Sequence, residues 1–306
     1  MPSRPAPHAA VTTPSLRLPD TAPRPPDPPD GAAWREALDL LAARPLVLLT
    51  GAGVSTDSGI PDYRGPQAPV RAPMTFQEFV SGPGAQRRYW ARSHLGWGRM
   101  GHAVPNDGHR AAARLGADLL VTQNVDGLHE AAGAPRVVAL HGRIADVVCL
   151  DCRTRSSRAL LQERMTALNP DFLAGGEALE TRPDGDVDLD DDAVVARFVV
   201  PDCEVCGGVL KPDVVFFGEN VPRPRVARCT EAVDRLPDRD GALLVAGSSL
   251  TVMSGLRFVR RAAKAGTPVV ILNRGVTRGD PLATVRLEAG TSEFLTALAD
   301  ARAARG

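Results

Sequence analysis

Five short apolar runs, each followed by a polar or glycine-rich cluster, limit the folds open to this chain of 306 residues. Continuous apolar runs of this length are typical of parallel strands that are buried on both faces. Open parallel sheets bind ligands beyond the carboxyl ends of their strands. We therefore predict an α/β fold with a doubly wound parallel sheet and one crevice for a dinucleotide or similar polar ligand. The runs are 46–49 before Gly51, 118–122 before Gln123 and Asn124, 136–140 before His141, 242–246 before Gly247, Ser248 and Ser249, and 268–272 before Asn273 and Arg274.

The first run continues into a glycine loop, Gly51-Ala52-Gly53. Glycines after a strand allow a tight turn and let backbone N–H groups approach a phosphate. Thr56 stands where the dinucleotide fingerprint G-x-G-x-x-G has its third glycine. By itself the loop therefore indicates phosphate binding only weakly, and a plain tight turn is the alternative.

His141 is the candidate catalytic residue that the pattern singles out. It stands at a strand end beside Gly142, where an accessible imidazole would titrate near neutral pH and could act as a general base on a sugar hydroxyl. A structural histidine is an equally good interpretation of the residue alone. His109 and His129 have weaker claims.

The cysteines give the strongest single signal. Four of the five come as two C-x-x-C pairs, Cys149 with Cys152 and Cys203 with Cys206, and 50 residues separate the pairs. Four thiolates are typical of a tetrahedral structural zinc site, which leaves no coordination position open for water. We predict one Zn²⁺ that stabilises a small module; a redox dithiol is the alternative.

Composition excludes several classes of protein. The 36 basic and 36 acidic residues balance, so no electrostatic signature of nucleic-acid or membrane-surface binding is present. No apolar run approaches the roughly 18–20 residues of a membrane span, and the N-terminus lacks a hydrophobic signal region.

Residues 1–30 hold ten of the 27 prolines and are interpreted as a disordered leader, with a mitochondrial transit peptide as the alternative. The aspartate-rich stretch 184–192 is interpreted as a solvated surface loop rather than a cation site.

Taken in order, the motifs resemble those of the sirtuins, the NAD-dependent protein-lysine deacylases. Two further segments, YWARSHLGW at 89–97 and PDGDV at 183–187, resemble the class II branch, a bacterial-type relative of the mitochondrial lipoamidase/ADP-ribosyltransferase sirtuins. The motifs are GAGVSTDSGIPDYRG (51–65), TQNVDGLH (122–129), HG (141–142), the two cysteine pairs, KPDVVFFGE (211–219), GSSL (247–250) and LNR (272–274).

The resemblance implies two domains that enclose a cleft for NAD and an acyl-lysine peptide. A Rossmann-like NAD-binding domain comprises 31–65, 106–145 and 208–306. A small domain combines a helical module, 66–105, with the zinc module, 146–207. The implied partners are acyl-lysine proteins or peptides, without nucleic acid or membrane, and the chain is expected to be a monomer in the bacterial cytoplasm, or in the mitochondrial matrix if it is eukaryotic.

The resemblance also implies the roles of individual residues. His141, Asn124 and Asp126 would be catalytic, and Val215, Phe216, Phe217, Gly218 and Glu219 would pair with the substrate backbone as an added strand. A loop over residues 60–73 would shield the reacting centre from water. The implied NAD-binding residues are Gly51, Ala52, Gly53, Asp62, Tyr63, Arg64, Gln123, Asn124, Asp126, Gly247, Ser248, Ser249, Asn273 and Arg274.

The implied reaction is acyl transfer to ADP-ribose. The acyl oxygen displaces nicotinamide from the ribose, and His141 then deprotonates a ribose hydroxyl, which gives free lysine, nicotinamide and O-acyl-ADP-ribose. Mono-ADP-ribosylation of proteins is the alternative within the family. An NAD-dependent dehydrogenase and a non-catalytic zinc-ribbon binder are more distant ones. Tyr89 and Arg92 have the spacing that family members with a preference for acidic acyl groups show, although the surrounding pattern is that of the class II branch.

Overall fold

The computed structural model describes residues 31–62, 73–100, 103–172 and 192–305, without the side chains of 98–100 and 192. The predicted leader 1–30, most of the predicted loop 60–73 and nearly all of the aspartate-rich stretch lie outside the described residues. Tyr63 and Arg64 lie outside them too. Within the described part, no helix combines the length and apolar character that crossing a bilayer requires.

The described strands form two separate sheets. Six parallel strands make the large sheet in the order β3-β2-β1-β7-β8-β9, and three antiparallel strands make the small sheet in the order β5-β4-β6. In chain order the strands are β1 Leu46–Thr50, β2 Leu119–Thr122, β3 Val137–Ala139, β4 Gly142–Cys149, β5 Arg155–Ser157, β6 Leu210–Val214, β7 Ala242–Ala246, β8 Val269–Leu272 and β9 Val285–Leu287.

The helices cover both faces of the large sheet and one side of the small one. In chain order the helices are α1 Gly31–Ala42, α2 Phe76–Phe79, α3 Pro83–Met100, α4 Asp107–Arg114, α5 Leu128–Ala131, α6 Arg158–Leu168, α7 Asp192–Arg197, α8 Arg223–Asp234, α9 Met253–Lys264 and α10 Thr291–Ala303.

Strand β1 shows why the large sheet forms. All five of its residues are buried, and alternate side chains point to opposite faces. Leu46 and Leu48 pack with α1, α4 and α10 on one face, while Val47 and Leu49 pack with α8 and α9 on the other. Burial of each such side chain contributes roughly 1.5–3 kcal/mol, so the apolar runs specify a sheet that is covered on both sides.

The strand order reverses next to β1. The chain runs outward from β1 through β2 to β3, and later returns to place β7 on the other side of β1. All these strands are parallel, so their carboxyl ends meet at one edge. This is the doubly wound arrangement, and the crevice between the ends of β1 and β7 is its ligand-binding position.

The small sheet and the helices α2 and α3 share one aromatic core. Phe79, Tyr89, Trp90 and Phe216 pack ring against ring, with neighbouring centroids 5.1–5.5 Å apart. The indole Nε1 of Trp90 donates to the carbonyl of Leu210 at 3.0 Å. The helical and cysteine-bearing segments therefore form one body rather than two independent modules.

Two details of this small body differ from the sequence prediction. Strand β6, Leu210–Val214, begins just after the predicted zinc module and was not predicted as a strand. The sheet also begins at Gly142 and ends at Val214, outside the predicted limits 146–207 on both sides. Gly142 has φ +84°, and a Cβ there would lie 1.8 Å from the Asp213 carbonyl oxygen, so only glycine permits this crossing from the large sheet to the small one.

Candidate active site

The glycine loops after β1 and β7 pack against each other at the crevice. Gly51 N donates to Ala246 O at 3.0 Å and Gly53 N donates to Gly247 O at 2.9 Å. A Cβ on Gly53 would lie 2.9 Å from Gly247 Cα, and one on Gly247, whose φ is +63°, would lie 2.6 Å from Val54 N. The glycines are therefore required first for the contact between the two loops. The result is a wall of bare backbone that a phosphate can approach.

Polar side chains at the ends of β1 and β2 form a continuous network beside these loops. Gln123 Nε2 donates to Ser248 Oγ at 2.8 Å, and Asn124 Nδ2 donates to Gly51 O at 3.0 Å and to Ser55 Oγ at 2.9 Å. The Ser55 hydroxyl in turn donates to Asp126 Oδ2 at 2.7 Å. The structure thus brings Gln123, Asn124 and Asp126 together. It adds Ser55, whose only sequence signal was its place in the GAGVS motif.

Two buried histidines lie behind this network. The His109 and His129 rings are 4.7 Å apart; His109 Nε2 lies 3.4 Å from Ser55 Oγ, and His129 Nε2 lies 2.9 Å from Thr50 Oγ1. Burial, followed by the charge of His109, lowers the pKa of His129 to about 3, and burial lowers the pKa of His109 as well. Both rings are therefore neutral near pH 7 and support the crevice from inside the core.

His141 lies where the large sheet joins the small one. Its Nδ1 is 2.9 Å from the carbonyl oxygen of Gln123, and its Nε2 is 2.8 Å from the hydroxyl of Ser254 in α9. Burial lowers the pKa of His141 to about 4, below the near-neutral titration that the sequence predicted for an accessible ring; the bond to Gln123 opposes this shift and the nearby charge of Arg225 adds to it. A neutral imidazole at physiological pH can accept a proton, which is what a general base requires.

The segment predicted to pair with substrate begins beside this histidine. Val215 N donates to His141 O at 2.7 Å, and Phe217 O accepts from Phe76 N at 2.9 Å. Glu219 Oε2 accepts from Phe216 N at 2.9 Å and lies 3.0 Å from Nζ of Lys211. The ammonium is almost fully buried, 4.4 Å from the centroid of the Phe216 ring. A buried ion pair therefore fixes the shape of this segment.

The remaining predicted NAD contacts occupy the rim of the crevice. Ala52 begins a 3₁₀ turn, Ala52–Val54, and Asp62 is half-buried. Asn273 Nδ2 donates to the carbonyl groups of Arg274 and Gly275 at 2.8 and 3.1 Å, so its amide shapes its own loop. The loop after β8 returns to Ser249, whose carbonyl accepts from Arg278 N at 3.0 Å. The loops after β7 and β8 therefore lie side by side at the sheet edge.

The four paired cysteines converge at the far end of the small sheet. Their sulfur atoms lie within 4.8 Å of one another, with Cys149 Sγ 3.6 Å from Cys206 Sγ and Cys152 Sγ 3.8 Å from Cys203 Sγ. Each C-x-x-C turn closes on a residue with positive φ, Arg153 at +63° and Gly207 at +70°.

The donor chemistry of this cluster matches one metal ion. A metal binds such cysteines as thiolates, and the Thr154 hydroxyl lies 3.3 Å from Cys152 Sγ. Four sulfur ligands at tetrahedral spacing fit Zn²⁺ at roughly 2.3 Å and leave no open position. The geometry therefore favours the structural-zinc interpretation over a redox dithiol.

Comparison with known proteins gives consistent matches. The family model described as "Sir2 family" matches residues 51–254. The "NAD-dependent protein deacetylase 1" of Mycobacterium avium is 52% identical over 272 residues, which cover 87% of this chain and 94% of that protein. The protein of the same name from Streptomyces coelicolor is 52% identical over 279 residues, covering 89% and 91%.

Solved structures show the same fold. A structure described as "Sir2-p53 peptide-NAD+" superposes with a TM-score of 0.67 at 29% identity, over 87% of this chain and 97% of that one. A structure from work on the mechanism and regulation of Sir2 enzymes superposes with a TM-score of 0.67 at 27% identity, over 90% and 99%. The similarity therefore extends through both the large and the small sheet.

Proposed function

This chain belongs to the Sir2 family, and from that premise we propose that it removes acyl groups from lysine side chains of proteins in an NAD-dependent reaction. The observation that carries the proposal is the position of His141. A neutral imidazole is fixed at the edge of the sheet where the glycine loops, Gln123, Asn124 and Asp126 also lie. That this chain belongs to the class II branch of the family stays a prediction.

The crevice fits NAD by the chemistry of its walls. The bare backbone of the Gly51 and Gly247 loops suits a pyrophosphate, and Ser248 and Ser249 add hydroxyl groups beside it. Asn124 and Asp126, held by Ser55, offer an amide and a carboxylate to the ribose and nicotinamide end. When bound, NAD supplies an electrophilic ribose carbon, with nicotinamide as the leaving group and O-acyl-ADP-ribose as the product.

The role of His141 follows from its hydrogen bonds. A carbonyl oxygen only accepts, so the bond to Gln123 O places the proton on Nδ1 and leaves the lone pair on Nε2. Nε2 is then the atom that takes a proton from a hydroxyl in the crevice. General-base assistance of this kind is typically worth 10²–10⁴-fold in rate.

The segment Val215 to Glu219 is assigned to the protein substrate. It starts at the His141 carbonyl, so a peptide extended along it would bring its side chains close to the imidazole. The Lys211–Glu219 pair holds the segment in place. The zinc site lies at the other end of the small sheet and has no open coordination position, so its role here is structural.

The test is product analysis with purified protein, NAD and matched peptides. We expect nicotinamide release to depend on an acyl-lysine peptide, with one O-acyl-ADP-ribose per deacylated lysine by mass spectrometry. The same peptide without the acyl group is the control. A panel of acetyl, long-chain, succinyl and lipoyl peptides identifies the preferred acyl group.

The other outcomes of this experiment separate the alternatives. Release without peptide, with ADP-ribose left on protein, would favour a mono-ADP-ribosyltransferase. Formation of NADH would favour a dehydrogenase. No consumption of NAD with any peptide would contradict the proposal. Cytoplasmic location, the monomeric state and the lack of nucleic-acid and membrane partners stay predictions from sequence. Light scattering after gel filtration tests the monomeric state, and we expect the mass of one chain.

A further inference from the structure

The hydroxyl of Ser254 is hydrogen-bonded to Nε2 of His141, the atom that takes up the proton in the proposed reaction. Ser254 is the second residue of α9, and its Oγ lies 2.8 Å from Nε2 of His141, which is 113 residues away in the chain. Both side chains are half-buried. The contact therefore joins the base to the helix that follows the Gly247 loop.

The start of α9 packs tightly against Gln123, which follows β2 and is the other hydrogen-bond partner of His141. The neighbouring Gly255 is buried, and a Cβ there would lie 2.6 Å from Oε1 of Gln123. The backbone carbonyl of the same Gln123 accepts from His141 Nδ1. Successive residues of one helical turn thus contact the side chain of Gln123 and the ring of His141, which fixes the backbone of Ser254 beside the ring while its hydroxyl can still rotate.

The protonation states define what this hydroxyl does. With the proton fixed on Nδ1 by Gln123, Nε2 carries a lone pair, and the Ser254 hydroxyl donates to it. After Nε2 takes a proton, the same hydroxyl can rotate and accept from it, because a hydroxyl is both donor and acceptor. Ser254 can therefore satisfy both forms of the base, and a substrate hydroxyl takes over the bond to Nε2 when it is bound.

We infer that Ser254 is a positioning residue for the general base. It fixes the orientation of the His141 ring, whose Nδ1–H tautomer is set by the Gln123 carbonyl, so that Nε2 is ready to accept a proton. The inference rests on the proposed function, since the base is assigned there. The bond geometry itself is open to measurement without any turnover.

The first arm of the test reads the tautomer by ¹⁵N NMR of the histidine rings in the NAD-free protein. His141→Asn assigns the signal among the six histidines. We expect sharp signals of the Nδ1–H tautomer in the wild type and exchange broadening in Ser254→Ala, because the ring is then held only at Nδ1. Ser254→Thr keeps a hydroxyl and should restore the sharp signals. An unchanged ring signal in Ser254→Ala would overturn the inference, whatever the enzyme's activity proves to be.

The second arm separates the two steps of the reaction. Exchange of labelled nicotinamide into NAD reports the departure of nicotinamide, and O-acyl-ADP-ribose reports the step that needs the base. Ser254→Ala should lower product formation about five- to tenfold, the effect of one lost hydrogen bond, and change exchange less than twofold. Ser254→Thr should recover most of the product. Thr166→Ala, which removes an exposed hydroxyl on α6, is the control.

Two kinetic results would contradict the inference. Equal loss of exchange and product would show that Ser254 acts on NAD or on the fold rather than through His141. Product formation that stays at the wild-type level would show that the hydroxyl has no role. If Ser254→Ala folds poorly by circular dichroism, Ser254→Cys keeps the volume with a weaker donor and carries the same comparison.

Discussion

The large and small sheets differ in what stabilises them. Every residue of β1 and β7 is buried, and helices cover both faces of their sheet. In the small sheet β5 is largely exposed and β4 alternates between buried and exposed residues. The large sheet is stabilised mainly by apolar burial, whereas the small one combines a shared aromatic core with a four-cysteine cluster.

The proposed active site lies between these two bodies. The edge of the large sheet positions the loops proposed to bind NAD and the proposed base, and His141-Gly142 leads directly into β4 of the small body. The segment assigned to substrate belongs to the small body, next to β6. A protein divided in this way can hold its cofactor-binding crevice fixed while the peptide-binding side depends on a metal.

The strongest test of the contrast is removal of one zinc ligand. Cys203→Ser should lose the metal and unfold the small body, because structural zinc sites contribute roughly 10 kcal/mol or more to the folded state. Zinc content per chain and mapped proteolysis sites measure both effects, with cleavage expected within 142–214. Cys229→Ala is the matched control. Cys229 is buried in the core of the large sheet, away from the four-cysteine cluster, so this variant should keep its full zinc content. A folded, zinc-loaded Cys203→Ser protein would show that the metal is dispensable.

A glycine substitution tests the contact between the two glycine loops at the edge of the large sheet. In Gly53→Ala the new Cβ meets backbone of the Gly247 loop at 2.9 Å, and overpacking of this kind typically costs about 1–3 kcal/mol. We expect a lower melting temperature and a raised KM for NAD. Gly84→Ala is the control, because nothing lies within 4 Å of its Cβ at the start of α3, and it should leave the melting temperature nearly unchanged. Equal behaviour of the two variants would refute the tight contact between the loops.

Acid should weaken the small body in part through buried His94. Burial, and then the charge of Arg158, lowers the pKa of His94 from 6.5 to about 4. Between these values the unfolded chain binds a proton that the folded one does not. Stability from this group is therefore complete above pH 6.5 and falls as the pH drops toward 4, by up to about 1.4 kcal/mol per pH unit.

His94→Phe is the variant that tests this slope. The ring packs against Phe172 and Phe198, at centroid distances of 6.0 and 5.5 Å, so an aromatic replacement is tolerated. Urea unfolding at pH 7, 6 and 5 should show a shallower pH dependence than the wild type. Burial also lowers the pKa values of His109, His129 and His141, which stay in both proteins and supply the remaining slope. An identical slope in the two proteins would locate the acid sensitivity elsewhere.

Sequence patterns predicted the large sheet well because burial on both faces requires uninterrupted apolar runs. They failed for β9, where Arg286 interrupts three residues, and for α8, where few apolar residues are buried. The small sheet was missed because β4 pairs with β6 across some 60 intervening residues and carries charges between its buried positions. No local pattern indicates such a pairing.

The candidate site was likewise predictable only in part from the sequence. Residues at the strand ends follow from the parallel topology, and the cysteine pairs follow from ligand spacing. Ser55 and Ser254 do not, because each acts through a partner far along the chain, Asp126 in one case and His141 in the other. Ser55 stands in a turn and Ser254 in the first turn of α9, where a small polar residue is common, so only the folded chain shows what they contact.

The most direct test of the whole account compares wild type with His141→Asn under the same conditions. Labelled nicotinamide exchange and O-acyl-ADP-ribose are followed together with NAD and the preferred acyl peptide. We predict that the variant keeps exchange within a few-fold and loses product formation by about 10²–10⁴, because only the second step uses the base. Product formation at the wild-type rate in His141→Asn would contradict the assignment of His141 as that base.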